Sequence, residues 1–248
     1  MRALENKVAV VTGASGGIGR VSALALADAG AAVVIGNRRS DEGEATAALI
    51  RERGGRAAFV KTDVSVAGEV DALVARAVEE FGGLDIAFNN AGVEGALGPM
   101  LEQTDENFDF VFGVNVKGVL RSMRAQAAAM RTRGGGVILN NSSVAGRKGF
   151  PGMSVYAASK HAVEGLTKTA ALELAAENIR VNAVSPGPIR TDMMNRVTGG
   201  DESGFEAMVP MGRVGESEEI ASLVVFLAGD GASYITGQSY AVDGGVAA

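Results

Sequence analysis

Tyr156 and Lys160 stand four residues apart in the run SVYAASKHAVEG, 154–165. In a helix that spacing puts both side chains on one face. A phenol with an ordinary pKa near ~10 is a poor base at neutral pH, but a neighbouring ammonium favours the phenolate. Two unit charges ~4 Å apart at an effective dielectric of ~20 interact by ~4 kcal/mol, at most about three pKa units. The pair is thus expected to bring Tyr156 into working range for exchanging a proton with a carbonyl or alcohol oxygen. A Tyr–Lys spacing recurs by chance, so a second signal is needed. It comes from NNSSVAG, 140–146, where Ser143 can donate to an oxygen on which negative charge develops, while Ser142 is a bland neighbour. Asn115, inside a long helical stretch, could distort that helix and hold a water linking Lys160 to solvent. His161 lies about 100° around the helix from Lys160 and is assigned no catalysis. One histidine and no cysteine argue against zinc, and no metal is expected.

These groups need a partner that accepts or supplies a hydride, and the chain offers a place to hold one. After the apolar run VAVV, 8–11, comes TGASGGIG, 12–19, and then a helical pattern. Strand, glycine turn and helix in that order form a pyrophosphate cradle. Gly13 permits the tight exit, Gly17 the close approach of backbone, Gly19 the close packing of the helix, with Ser15 and Ile18 between them. At the end of the next strand, Asn37 occupies the position that chooses between a ribose hydroxyl and a 2′-phosphate. A neutral residue followed by Arg38 and Arg39 suits NADP(H), with NAD(H) possible. Asp63 and Val64 either cap an adenine or begin a helix. Asn90, Ala91 and Gly92 offer small groups beside a dinucleotide.

Seven Val- and Ile-rich runs, at 8–11, 31–35, 57–60, 84–88, 136–140, 180–184 and 239–242, alternate with helical patterns over 18–29, 41–53, 67–81, 104–131, 154–176 and 217–228. Apolar strands each followed by a helix predict an α/β fold: one doubly wound, Rossmann-type parallel sheet with helices on both faces. Ligands should then bind beyond the carboxyl ends of the strands, where the motifs fall. At 248 residues with 47% apolar residues and 35 glycines, the chain is read as a single domain over 1–248. Residues 192–215 show weak periodicity and are read as a mobile substrate lid. A net charge of −6 argues against nucleic acid. No apolar stretch approaches ~18 residues, so no membrane partner is expected and the cytoplasm is the simplest location.

Taken together, these residues make the whole chain resemble the short-chain dehydrogenase/reductase family. TGASGGIG looks like its TGxxxGxG motif, NNAG at 89–92 like its NNAG, and PGPIRT at 186–191 like its PG motif. Asn115, Ser143, Tyr156 and Lys160 fall on its catalytic tetrad. The resemblance implies that Tyr156 protonates the nascent alkoxide, Lys160 also binds the nicotinamide ribose, Ser143 polarises the carbonyl and Asn115 supports a proton relay. It further implies that Pro186, Gly187, Ile189 and Thr191 hold the nicotinamide end, and that four copies assemble through the helices at 104–131 and 154–176. Two positions depart from the pattern. Gly16 stands where many NADP-preferring members carry a basic residue, and Asn141 where an apolar residue is usual.

The expected substrate site comprises Ser143, Val144, Phe150, Met153, Met193, Met194 and Met208, an apolar and flexible set suited to a small hydrophobic ketone. The leading expectation is an NADPH-preferring ketone reductase or secondary-alcohol dehydrogenase. A 3-oxoacyl-[acyl-carrier-protein] reductase is the alternative: Arg121, Arg124, Arg131 and Arg133 could meet an acidic carrier, or form a solvated helix face. A dinucleotide sensor without turnover is the remote third.

Overall fold

The run VAVVT is buried at all five positions, as a strand must be when helices cover both faces of its sheet. A computed structural model describes residues 3–248. Its elements run β1 Val8–Thr12, α1 Gly17–Asp28, β2 Ala32–Asn37, α2 Ser40–Glu52, β3 Arg56–Lys61, α3 Glu69–Phe81 and β4 Ile86–Asn89. There follow α4 Asp105–Phe112, α5 Gly118–Arg133, β5 Gly136–Asn141, α6 Ser154–Leu174 and β6 Ile179–Pro186. The chain closes with α7 Asp192–Thr198, α8 Ser203–Met208, α9 Ser217–Ala228 and β7 Ser239–Val242.

The seven strands form one sheet in the order β3-β2-β1-β4-β5-β6-β7, and every pairing is parallel. One apolar layer joins the sheet to α1, α2 and α9; the other joins it to α3, α5 and α6. Strand order reverses between β1 and β4, whose ends pair Thr12 with Asn89. The glycine turn and the NNAG segment therefore leave the sheet side by side, where a doubly wound fold opens its crevice.

Two expectations from the sequence are revised. The helix expected over 104–131 is interrupted by a π-helical turn at Gly113–Lys117, which contains Asn115 and separates α4 from α5. The segment 192–215 carries two helices, of 7 and 6 residues, too short to show a clear apolar period.

The tips of β4 and β5 carry two asparagines each, and the parallel register pairs Asn89 with Asn140. On one face of the sheet Asn89 Nδ2 donates to Asn140 Oδ1 at 2.9 Å and to Gln126 Oε1 at 3.0 Å. Gln126 Nε2 returns a bond to Asn89 Oδ1, and Asn140 Nδ2 donates to Thr167 Oγ1. On the opposite face Asn141 Nδ2 donates to Asn90 Oδ1 at 2.9 Å. Two amide rungs thus clamp the strand ends from both sides, which is the structural role of Asn141 that sequence reading left without an account.

Candidate active site

All the expected cofactor and substrate residues line one cleft of about 730 Å³ that runs from Asn37, Arg38 and Arg39 to Met208. Its phosphate end is built by backbone shape. Gly13 and Gly17 have φ of 68° and 49°, a region open to glycine and strained for other residues. Gly19 is required for space: a Cβ there would stand 2.4 Å from the Gly13 carbonyl oxygen and from Asn90 Nδ2. Asn90 Nδ2 donates to the Thr12 and Gly13 carbonyls, so the NNAG segment shapes the turn directly. Helix α1 begins at Gly17 and directs its free N–H groups into the cleft. Backbone curvature, small residues and a helix N-terminus fit a dinucleotide pyrophosphate.

At the outer rim Asn37 Nδ2 donates to the Arg39 carbonyl. Arg39 donates to Ser15 Oγ at 2.8 Å and pairs with Glu42 at 3.1 Å. Arg38 lies 3.8 Å from Asp63. The Asp63 carboxylate accepts from Ser65 N and Oγ; helix α3 starts later, after Gly68, so Asp63 closes a local turn and is not that helix's cap.

The chemical groups converge at the inner end. Ser143 Oγ accepts from the Ala145 N–H at 3.1 Å, which leaves its own proton free to donate. Both Ser143 and Tyr156 line the cleft, and the Ser143 side chain acts to lower the Tyr156 phenol. Lys160 Nζ donates to the Asn141 carbonyl at 2.8 Å and sits 5.6 Å from the centre of the Tyr156 ring. Ser142 faces the Lys160 carbonyl, and exposed His161 binds the Ala157 carbonyl.

Asn115 is buried and exchanges two bonds with the Val93 backbone while donating to Ser159 Oγ. Both of its donors are thereby used. A Cβ on Gly92 would lie 3.3 Å from Asn115 Oδ1 and 3.5 Å from Lys160 Nζ, so the absence of a side chain at 92 keeps open a space flanked by both groups.

The electrostatics correct the expectation drawn from Tyr–Lys spacing. Burial pushes the Tyr156 phenol up to about 12, with the Ser143 hydrogen bond opposing and the Glu94 charge adding to the rise. Burial also pulls the Lys160 ammonium down to about 8 against the field of Glu164. Loss of water outweighs mutual help because both groups are desolvated together. In the protein alone Tyr156 therefore stays protonated at neutral pH.

A family model described as Enoyl-(Acyl carrier protein) reductase matches residues 13–247. Cyclohexanol dehydrogenase of Acinetobacter sp. (strain SE19) is 41% identical over 96% of this chain and 94% of its own length. The chain belongs to the short-chain dehydrogenase/reductase family. Within that family, 2,5-dichloro-2,5-cyclohexadiene-1,4-diol dehydrogenase of Sphingobium indicum is 40% identical over the full length of both chains. The solved structure of levodione reductase superposes with a TM-score of 0.95 at 35% identity, covering 98% of each chain. As a member of the short-chain dehydrogenase/reductase family, the protein is an oxidoreductase of alcohol and carbonyl groups and uses NAD(P)(H).

Sequence reasoning missed Glu94 and Arg196. Both line the cleft and bind one another across 102 residues, a relation that no local pattern carries.

Proposed function

We infer that this enzyme is an NADP(H)-preferring reductase of small hydrophobic ketones and dehydrogenase of the matching secondary alcohols, with NAD(H) also accepted. The observation that carries the reading is the gathering of Ser143, Tyr156 and Lys160 at the apolar end of a cleft that begins at a phosphate cradle. Relatives named for cyclohexanol and for a cyclohexadiene-1,4-diol support six-membered rings as the substrate class.

In this reading Gly13, Ser15, Gly17, Ile18 and Gly19 hold the pyrophosphate, and Asp63, Val64, Asn90, Ala91 and Gly92 flank the adenine and ribose. Lys160, Tyr156, Pro186, Gly187, Ile189 and Thr191 hold the nicotinamide end. When bound, the dinucleotide supplies or accepts the hydride. Ser143 Oγ donates to the substrate oxygen, and Tyr156 Oη delivers its proton to the same oxygen. Lys160 Nζ keeps positive charge beside the phenolate that remains. The space beside Gly92, between Lys160 and Asn115, is the route by which the proton is replaced. Residues 192–215 act as the lid, bringing Met193, Met194 and Met208 over the substrate while Val144, Phe150 and Met153 form its floor.

Cofactor preference rests on Arg38 and Arg39 beside neutral Asn37. Each guanidinium already shares a carboxylate, Asp63 or Glu42, so the field on a 2′-phosphate is weaker than that of two free arginines, and NAD(H) is accepted. Replacing both with Ala should raise KM for NADPH by about 10–100-fold, from the loss of charge-assisted bonds at an exposed rim. KM for NADH should move by less than about twofold. Equal rises with both dinucleotides would remove the phosphate clamp. The comparison belongs in a parallel assay of NADPH and NADH oxidation with cyclic ketones, diketones and acetoacetyl thioesters.

The thioester arm tests the acyl-carrier alternative, which the family model's description favours. The helix arginines do not: Arg131 pairs with Glu177, Arg133 with Asp85, and Arg121 binds the Ser65 carbonyl.

A cytoplasmic homotetramer completes the reading. Phe108, Leu120 and Leu172 on α4, α5 and α6 are large apolar side chains exposed in the isolated chain, as an interface through those helices requires. Light scattering should give about 100 kDa for four chains of 25.2 kDa. A mass of one chain would remove the tetramer.

A further inference from the structure

The substrate end of the cleft is lined by Phe110, Phe150, Met153, Val197, Phe205 and Met208, and one ion pair interrupts this apolar surface. Glu94, on the loop after β4, is bound by Arg196 of α7: Nε donates to Oε1 at 2.7 Å and Nη2 to Oε2 at 3.3 Å. The partners sit in different settings, the Arg196 side chain 59% exposed and that of Glu94 17%. Burial pushes the Glu94 carboxyl up, yet the Arg196 bond and charge and a bond from its own backbone hold it below the usual carboxylate range. Glu94 is therefore an anion at neutral pH. Its charge also acts on the Tyr156 phenol, so its field reaches the atom that exchanges the proton.

A latch between α7 and the loop after β4 needs no buried charge. An ion pair with an exposed arginine contributes about 0–1 kcal/mol, while a carboxylate withdrawn from water in an apolar wall carries a desolvation cost of its own. Arg196 occupies one lone-pair direction on each carboxylate oxygen and the backbone of Glu94 takes another, which leaves one direction free to accept. The pattern is an apolar pocket with few placed polar groups, Glu94 apart from the Ser143 and Tyr156 hydroxyls, and such groups fix ligand orientation.

We propose that Glu94, held in place by Arg196, is a specificity residue that accepts a hydrogen bond from a second hydroxyl on the substrate ring. The proposal rests on the ketone and alcohol reading above and narrows it to cyclic diols and hydroxyketones. A site that hydrogen-bonds a hydroxyl discriminates against the analogue lacking it, because the remaining acceptor capacity of the half-buried carboxylate is then covered by apolar surface and left unmet.

The test is the ratio of kcat/KM for the best of the 1,2-, 1,3- and 1,4-cyclohexanediols to that for cyclohexanol, in the unaltered enzyme, Glu94→Leu and Glu94→Gln. The unaltered enzyme should prefer the diol by about tenfold or more. Glu94→Leu should bring the ratio near one, and Glu94→Gln, which keeps shape and an acceptor oxygen, to an intermediate value; the second variant carries the test if the first does not fold. A lid latch alone would slow both alcohols equally and leave the ratio unchanged, which overturns the proposal. So does an unaltered enzyme with no preference, or one that turns over neither ring alcohol while oxidising NADPH with another ketone. In that last case the broader reading stands. Failure with every ketone would remove both.

Discussion

Replacing Tyr156 with Phe should lower kcat for ketone reduction by about 10³-fold, within the range of general acid catalysis, while the dinucleotide Kd changes by less than about threefold. The ring and its packing are preserved, and only the proton carrier is lost. With its phenol pushed up to about 12, Tyr156 is protonated throughout the usual assay range, so under the proposed mechanism the unaltered enzyme should present a proton to the substrate oxygen at every assay pH. Under the same mechanism oxidation of the alcohol needs the phenolate, and its rate should climb with pH over that range. Single-turnover kinetics with NADPH, beside fluorescence titration of the dinucleotide, separate the two quantities. Unchanged turnover in the Phe variant would refute the mechanism and leave a dinucleotide-binding protein.

Lys160→Met should cut kcat/KM by about 10²–10⁴-fold and at the same time make the protein more stable. The ammonium is buried, and its pKa falls from 10.5 to about 8; that difference is worth about 3 kcal/mol against the folded state. Losing the bond to the Asn141 carbonyl returns about 1 kcal/mol. The net gain of about 2 kcal/mol corresponds to a rise in Tm of about 4–8 °C at this chain length. The sign follows from proton uptake: between pH 8 and 10.5 the unfolded chain holds the Lys160 proton and the folded chain releases it. The unaltered enzyme therefore gains stability with pH across that window. The Met variant's advantage is complete below about pH 8 and disappears as pH approaches 10.5. Reduction by the unaltered enzyme should hold below pH 8 and fall above it, as Lys160 loses its charge. Calorimetry and a pH–rate profile measure both, and a Met variant less stable than the unaltered enzyme at pH 7 would refute the assignment.

The parts of this molecule that were readable in advance are those written in consecutive residues. Gly13, Gly17 and Gly19 announce the turn because their spacing is itself the geometry, and the apolar runs announce strands because burial on both faces leaves no polar alternation. Tyr156 and Lys160 share a face because four residues make about one helical turn. What burial does to their proton affinities was not readable, since desolvation depends on the elements packed around them. The π turn at Asn115 was foreseen only as a distortion: the side chain it carries bonds Val93 and Ser159, both distant in sequence. Helices α7 and α8 are too short to leave a periodic trace, and Arg196 finds Glu94 only once α7 lies over the cleft.

The paired asparagines at the ends of β4 and β5 bear on how such an enzyme diverges. A slip of one residue between those strands would exchange the faces of both rungs at once and leave buried amides without partners. The edge that carries Ser143 and presents a carbonyl to Lys160 is thus locked to the sheet independently of residues 192–208. On the proposed reading, substitutions in that segment and at Glu94 should exchange one substrate for another while Ser143, Tyr156 and Lys160 keep their positions, so laboratory evolution of specificity is best directed there, with both asparagine pairs left untouched.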